Sequence, residues 1–141
     1  LTAKCWRFGA NDREVGGILD NPEFSPLFDE NSRGEITVAA ELPELGKGFR
    51  INGQIDRLTL SDNEIMIADF KTNRPPPEDV AKTPSVYLVQ MALYRAALSK
   101  IYPGKHIACV LIWTDGARAM RLPDSRLDEA LQKIRDRQAA R

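Results

Sequence analysis

The run Phe49-Arg50-Ile51-Asn52-Gly53-Gln54-Ile55-Asp56-Arg57-Leu58-Thr59-Leu60, the turn Ser61-Asp62-Asn63-Glu64 and the run Ile65-Met66-Ile67-Ala68-Asp69-Phe70-Lys71-Thr72 decide the fold. The first run alternates with period two, the pattern of a strand with one buried face. The turn holds an Asp and an Asn, which tolerate the left-handed backbone that a tight hairpin needs. With Asp62-Asn63 as a two-residue loop, cross-strand partners are Leu60 with Ile65, Leu58 with Ile67, Asp56 with Asp69 and Gln54 with Lys71. All eight side chains then share one face. Carboxylates so placed have Cβ atoms roughly 4.5–5.5 Å apart and repel unless a shared proton, a cation or a metal offsets the charge. Two carboxylates on rigid strands, with other positions left to water and a phosphate, suit Mg²⁺, and Lys71 would point its ammonium at the same site. The ordinary alternative is a diagonal Asp56–Lys71 ion pair on a solvated face with Asp69 paired elsewhere. A one-residue slip in register would put the two acids on opposite faces.

Outward from the hairpin, the spacing predicts an irregular, partly helical lead-in over residues 1–33, with Asn11 or Asp12 capping a short helix toward Leu19. Pro22 and Pro26 break the rest of that lead-in into turns. Glu35–Leu42 reads as a strand and Pro43–Gly48 as a turn. Beyond the hairpin, Arg74-Pro75-Pro76-Pro77-Glu78 is a stiff extended break. Pro84–Ile101 reads as a long helix whose Val86, Val89, Leu93, Ala96, Ala97 and Ile101 recur at three and four, stopped by Pro103-Gly104. Ile107–Trp113 is a continuous apolar run of strand length, expected to be buried on both faces. Ala119–Leu122 can pair back after the Asp115-Gly116 turn, and Leu127, Leu131 and Ile134 mark a last amphipathic helix within 123–141. The core spans 34–122, and the expected architecture is α/β, a mixed central sheet flanked by helices.

The chain has 141 residues, 43% hydrophobic and 28% charged, which is globular composition of single-domain size. Net charge is zero, yet Leu1–Phe70 carries 7 Lys/Arg against 13 Asp/Glu and Lys71–Arg141 carries 13 against 7. That asymmetry fits either a polyanionic partner or acidic and basic segments lying against one another. No apolar run is long enough for a membrane span and no signal peptide is evident. Cys5 and Cys109 lack metal-site or disulfide spacing, which suits a reducing, cytoplasmic setting. No GxxxxGK[ST] loop is present, so the sequence encodes no P-loop ATPase of its own. A start at Leu1 rather than Met suggests a piece of a longer protein.

Three segments occur in order: Gly53-Gln54-Ile55-Asp56-Arg57-Leu58, Asp69-Phe70-Lys71-Thr72 and Gln90-Met91-Ala92-Leu93-Tyr94. Together with the order of the elements around them, they resemble the motif series of RecB-type PD-(D/E)xK nucleases. The resemblance runs from about Gly34 to Gly116. It is strongest to the nuclease domains of AddA-type subunits of AddAB helicase-nucleases, through Asp69–Pro77 and through Gln90–Leu98 with Tyr102–Lys105.

The resemblance implies a restriction-endonuclease-like core and metal-dependent DNA cleavage of the exonuclease type. Asp56 and Asp69 would be metal-binding acids, the Phe70 carbonyl a further metal contact, Lys71 the catalytic lysine, and Gln90 with Tyr94 the QxxxY pair. Residues four apart share a helix face, so Gln90 and Tyr94 would reach the site together; the plainer role for both is to satisfy backbone groups. The implied cofactor is Mg²⁺, with Mn²⁺ as substitute. The implied partners are DNA, as single-stranded ends, a helicase portion of the same polypeptide and a second chain of AddB type, all serving double-strand break repair. The alternative is a nuclease-like domain that binds DNA or docks without catalysis. One departure stands out: RecB-type nucleases carry a metal-binding His on a helix upstream of the first strand, and no His precedes His106 here. His106 itself reads as an exposed loop residue and Glu41 as a surface residue. Trp6 and Trp113 read as core or docking aromatics, and Arg57, Arg74, Arg118 and Arg121 as solvated charges able to meet phosphates.

Overall fold

The computed structural model describes residues 18 and 20–140, so Asn11, Asp12, Cys5 and Trp6 lie outside the described residues. Five strands run in the order β1 (Ser32–Glu41), β2 (Arg50–Leu60), β3 (Glu64–Lys71), β4 (His106–Trp113) and β5 (Arg118–Leu122). Helix α1 (Ser85–Ile101) joins β3 to β4 and α2 (Asp124–Ala139) follows β5. Neighbouring strands are antiparallel except β3 and β4, which are parallel because the α1 crossover returns the chain to the same end of the sheet. The sheet is therefore mixed, as expected.

Both helices cover one face, over Val38, Ile55, Leu58, Ile65, Ile67, Ile107, Cys109, Leu111 and Trp113. On the other face Ile18, Phe24, Leu27 and Phe28 pack on Met66, Ala68, Ala108, Val110 and Ile112. Every residue of β4 from Ile107 to Trp113 is buried, with successive side chains feeding opposite cores. Full burial of a Val, Leu or Ile side chain contributes about 1.5–3 kcal/mol, which makes β4 the spine of the domain. The last helix buries Leu127, Ala130 and Leu131, with Ile134 at the margin of the same core.

Two expectations about faces need correction. In α1 the buried residues are Leu88, Met91, Ala92, Tyr94, Ala97 and Leu98, whereas Val86 and Ile101 are 65% and 54% exposed. The helix is apolar around most of its girth, so spacing alone did not choose a side; the face laid on the sheet is that of Leu88, Met91, Ala92, Ala97 and Leu98. In β2 the strict alternation fails at Asp56. Ile55 and Leu58, three apart, both enter the helix-side core, so the pleat shifts phase between them. The β1–β2 ladder pairs Gly34 with Arg57 and Ile36 with Ile55, and the rung between them, Glu35 opposite Asp56, is absent from it. Glu35 there has φ 56°, left-handed backbone that costs a non-glycine residue roughly 1–2 kcal/mol.

The β2–β3 ladder runs from Leu60–Ile65 to Arg57–Ala68 as the two-residue loop requires, and then stops. The expected Asp56–Asp69 and Gln54–Lys71 rungs do not form, and Gln54 is exposed. The cause is local: the Asp56 carboxylate accepts the Phe70 N–H at 2.9 Å, taking the place of a backbone acceptor.

Candidate active site

The parting of β2 from β3 opens a notch at the end of β3, roofed by α1. Asp69 sits in it nearly fully buried, 6% exposed. Burial first, and then the neighbouring Asp56 carboxylate, pushes its acid up to about 6 from the usual 3.8. Lys71 counters both, with Nζ 2.5 Å from Asp69 Oδ2. The acids thus meet through their side chains although their backbones are not paired, and Lys71 pairs with Asp69 rather than diagonally with Asp56.

Lys71 is held from three directions. Its ammonium donates to Gln90 Oε1 at 2.8 Å and lies 4.1 Å from the centroid of the Tyr87 ring, in addition to the Asp69 contact. Its own carbonyl accepts from the Thr114 N–H at 2.9 Å, which pins the strand end beside β4. Tyr87 packs on Trp113 with centroids 6.0 Å apart, and its hydroxyl donates to Asn73 Oδ1 at 2.8 Å. Gln90 and Tyr94 do not converge on one target. Gln90 bonds Lys71, while the Tyr94 hydroxyl donates to the Gln54 carbonyl at 3.3 Å and receives a long 3.5 Å contact from Gln90 Nε2.

Tyr94 fits only because residue 53 is glycine. A Cβ there would stand 2.5 Å from the Tyr94 hydroxyl and 2.8 Å from Cε1. A glycine inside a strand pattern signals close approach of another group, and that signal was readable in the sequence. Tyr87 was legible too, three residues before Gln90 on the same helix face, but sequence reading passed over it and Asn73.

Other candidates lie elsewhere. Arg57 is 1% exposed, donates from Nε to the Leu27 carbonyl at 3.0 Å and binds Ser32 Oγ, so it is a buried strut and not a solvated charge. Arg118 binds the Pro77 carbonyl, and Arg121 reaches Glu64 and Glu23 at 3.2 and 3.7 Å. Arg74 is exposed. His106 is no loose loop residue. It opens β4 and bridges Glu64 at 2.9 Å and Asp124 at 2.8 Å, at the end of β3 remote from Lys71, and both acids hold its pKa above the ordinary value. Glu41 is exposed and pairs with Arg50, Trp113 is buried, and burial pushes the Cys109 thiol up to about 12, an inert core group. Among the described residues no three His, Cys, Asp or Glu side chains cluster as a ready metal site, and no helix is long and apolar enough to cross a membrane.

Residues 16–141 match the family model of the PD-(D/E)XK nuclease superfamily. Over 73 residues, 51% of this chain, the sequence is 37% identical to one subunit of an ATP-dependent helicase/nuclease of Oenococcus oeni. The match spans 6% of that relative's length. The crystal structure of SSO0001 aligns over 74% of this chain and 49% of its own, with a TM-score of 0.43 and 18% identity.

Proposed function

The chain belongs to the PD-(D/E)XK nuclease superfamily, and from that premise we propose that it hydrolyses DNA phosphodiester bonds with a divalent cation, Mg²⁺ or in its place Mn²⁺. The observation that carries this reading is the buried Asp69 carboxylate brought against Asp56 with Lys71 clamped beside it. A fold that gathers two acids at the edge of its core incurs repulsion that a cation between them would offset.

The donor set fits such an ion. Asp56 and Asp69 supply carboxylate oxygens. Phe70 directs its N–H to Asp56, and in a strand the C=O of one residue leaves on the same side as its N–H, which puts the Phe70 carbonyl toward the same acid. These are hard oxygen donors of the kind Mg²⁺ takes. When bound, the ion supplies polarisation of the phosphate and activation of water. Lys71 would donate to a phosphate oxygen, stabilising the charge that grows as the water oxygen bonds to phosphorus and gives up its proton to solvent, while the P–O ester bond breaks and the leaving oxygen takes up a proton as a hydroxyl. Gln90 fixes the direction of the Lys71 donors, and Tyr94, wedged on Gly53, holds β2 against α1 so that Asp56 keeps its place.

The same reading extends to the whole protein. The chain would be a C-terminal part, one nuclease domain over residues 1–141, of a larger cytoplasmic helicase-nuclease. The helicase portion would feed single-stranded DNA ends to this site in double-strand break repair, with a second chain of AddB type as partner. The name of the Oenococcus relative, a helicase/nuclease, supports that extension.

Cleavage of end-labelled single-stranded DNA in Mg²⁺ or Mn²⁺ tests the proposal, alongside calorimetric Mn²⁺ titration. The parent cleaves; Lys71→Ala loses roughly two to four orders of magnitude in rate while binding Mn²⁺; Asp69→Ala loses both. A parent that cuts with neither ion, or an Asp69→Ala variant that cuts as the parent does, overturns it.

A further inference from the structure

The family motifs leave Tyr87 without a role, yet its ring is one of three groups that meet the Lys71 ammonium, beside Asp69 and Gln90. Its ring face lies 4.1 Å from the Lys71 ammonium, its hydroxyl is tied to Asn73 at 2.8 Å, and its ring leans on the fully buried Trp113 at 6.0 Å. The hydroxyl is thus tied to the loop after β3 and the ring to the end of β4, so the ring cannot swing away without breaking one anchor. The negative face of an aromatic ring attracts a cation, more strongly where water is excluded, and the Lys71 side chain is only 13% exposed. Asp69 and Gln90 hold the ammonium through hydrogen bonds, and the Tyr87 ring closes a third side of it.

We infer that Tyr87 is a positioning residue for Lys71: its ring is a cation-binding stop that, with Gln90, aims the ammonium at the edge of the notch where Asp56 and Asp69 meet. The inference rests on the nuclease reading, because the ammonium must act on a phosphate for its aim to matter. The ring, and not the hydroxyl, does the aiming; Asn73 only fixes the ring. Tyr87→Phe therefore retains function and Tyr87→Leu, apolar but without a π face, does not.

The test combines two readouts on the 141-residue chain. The first is the NMR signal of the Lys71 ε-methylene, assigned by its loss in Lys71→Arg. In the parent the ring current above Tyr87 shifts it upfield; the shift persists in Tyr87→Phe and vanishes in Tyr87→Leu. An unshifted parent signal overturns the inference whatever the activity. The second is single-stranded DNA cleavage by Tyr87→Phe, Tyr87→Leu and a series with mono-, di- and trifluorinated phenylalanine at position 87. Tyr87→Leu loses roughly tenfold in kcat, the equivalent of ~1.4 kcal/mol, with KM within about twofold and Mn²⁺ affinity unchanged. Across the fluorinated series kcat falls stepwise as the ring face loses negative charge, a trend that packing alone does not produce. A flat series, or Tyr87→Leu cutting as fast as Tyr87→Phe, overturns the inference and leaves the nuclease reading standing. A parent that shows the upfield signal and cuts no DNA overturns the nuclease reading, and this inference falls with it.

Discussion

Replacing Asp69 by Asn removes one of two adjoining negative charges from a nearly closed site, and the structure says how large the consequence is. The Asp69 acid stands at about 6 against an ordinary 3.8, about two units of proton affinity. At about 1.4 kcal/mol per unit, holding it ionised at neutral pH costs the native state about 3 kcal/mol relative to the unfolded chain. The group is 8% exposed in its side chain, so solvent screens little of this. The pH dependence has a definite sign. Between about pH 4 and 6 the folded chain binds a proton at Asp69 that the unfolded chain does not, so the native state loses stability as pH rises through that window, and the full cost is present above it. The carboxamide of Asn is isosteric, can donate to Asp56 and can accept from Lys71. Without metal, Asp69→Asn is therefore more stable than the parent by about 2–3 kcal/mol at pH 7.5, and the gap closes toward pH 4. Urea unfolding of both proteins in a chelator at pH 7.5 and 4.5, followed by fluorescence of the buried Trp113, measures it. An Asn variant that is less stable at pH 7.5, or a gap of equal size at both pH values, refutes the reasoning that repulsion and burial dominate at Asp69. Added Mn²⁺ should reverse the order by stabilising only the parent.

Other parts of the structure carry their own tests. Gly53→Ala forces a methyl to 2.5 Å from the Tyr94 hydroxyl, and the overpacking should cost about 1–3 kcal/mol, a loss in urea unfolding that Tyr94→Ala in the same chain largely relieves. Arg57→Ala empties a buried position and strips the Leu27 carbonyl of a charged donor, with an expected loss of about 1–3 kcal/mol from the unsatisfied acceptor and no change in Mn²⁺ affinity per folded molecule. His106 gains proton affinity from Asp124 and Glu64. Its bridge stabilises the fold fully below the ordinary histidine value and fades as pH rises through the raised one. In His106→Gln the stability difference from the parent should shrink between pH 6 and 9, as followed by thermal melts.

How far the sequence could be read is visible in single residues. Period-two alternation and the Asp62-Asn63 loop are local features set by backbone pleat and turn sterics, and they placed β2, β3 and the Leu58–Ile67 register correctly. The apolar run at β4 marked itself by having no polar face at all. The three motifs located Asp56, Asp69, Lys71 and Gln90, which the fold then brought into one notch. The pleat shift at Asp56 was not legible, because it depends on Glu35 in a left-handed conformation on another strand and on the Phe70 N–H choosing a carboxylate over a carbonyl. Nor was the buried face of α1, since a helix apolar on two sides has its choice made by the shape of the sheet beneath it. Arg57 looked like a surface charge in an alternating strand, but Leu27 and Phe28 cover its face of the sheet and bury it against Ser32 and the Leu27 carbonyl. By itself the sequence determined which segments extend, coil or turn, because those follow from periodicity and residue type, and its motifs marked which acids, amine and amide were candidates for chemistry. Only the tertiary structure decided which of them meet, since that depends on contacts across tens of residues whose energies no local pattern contains.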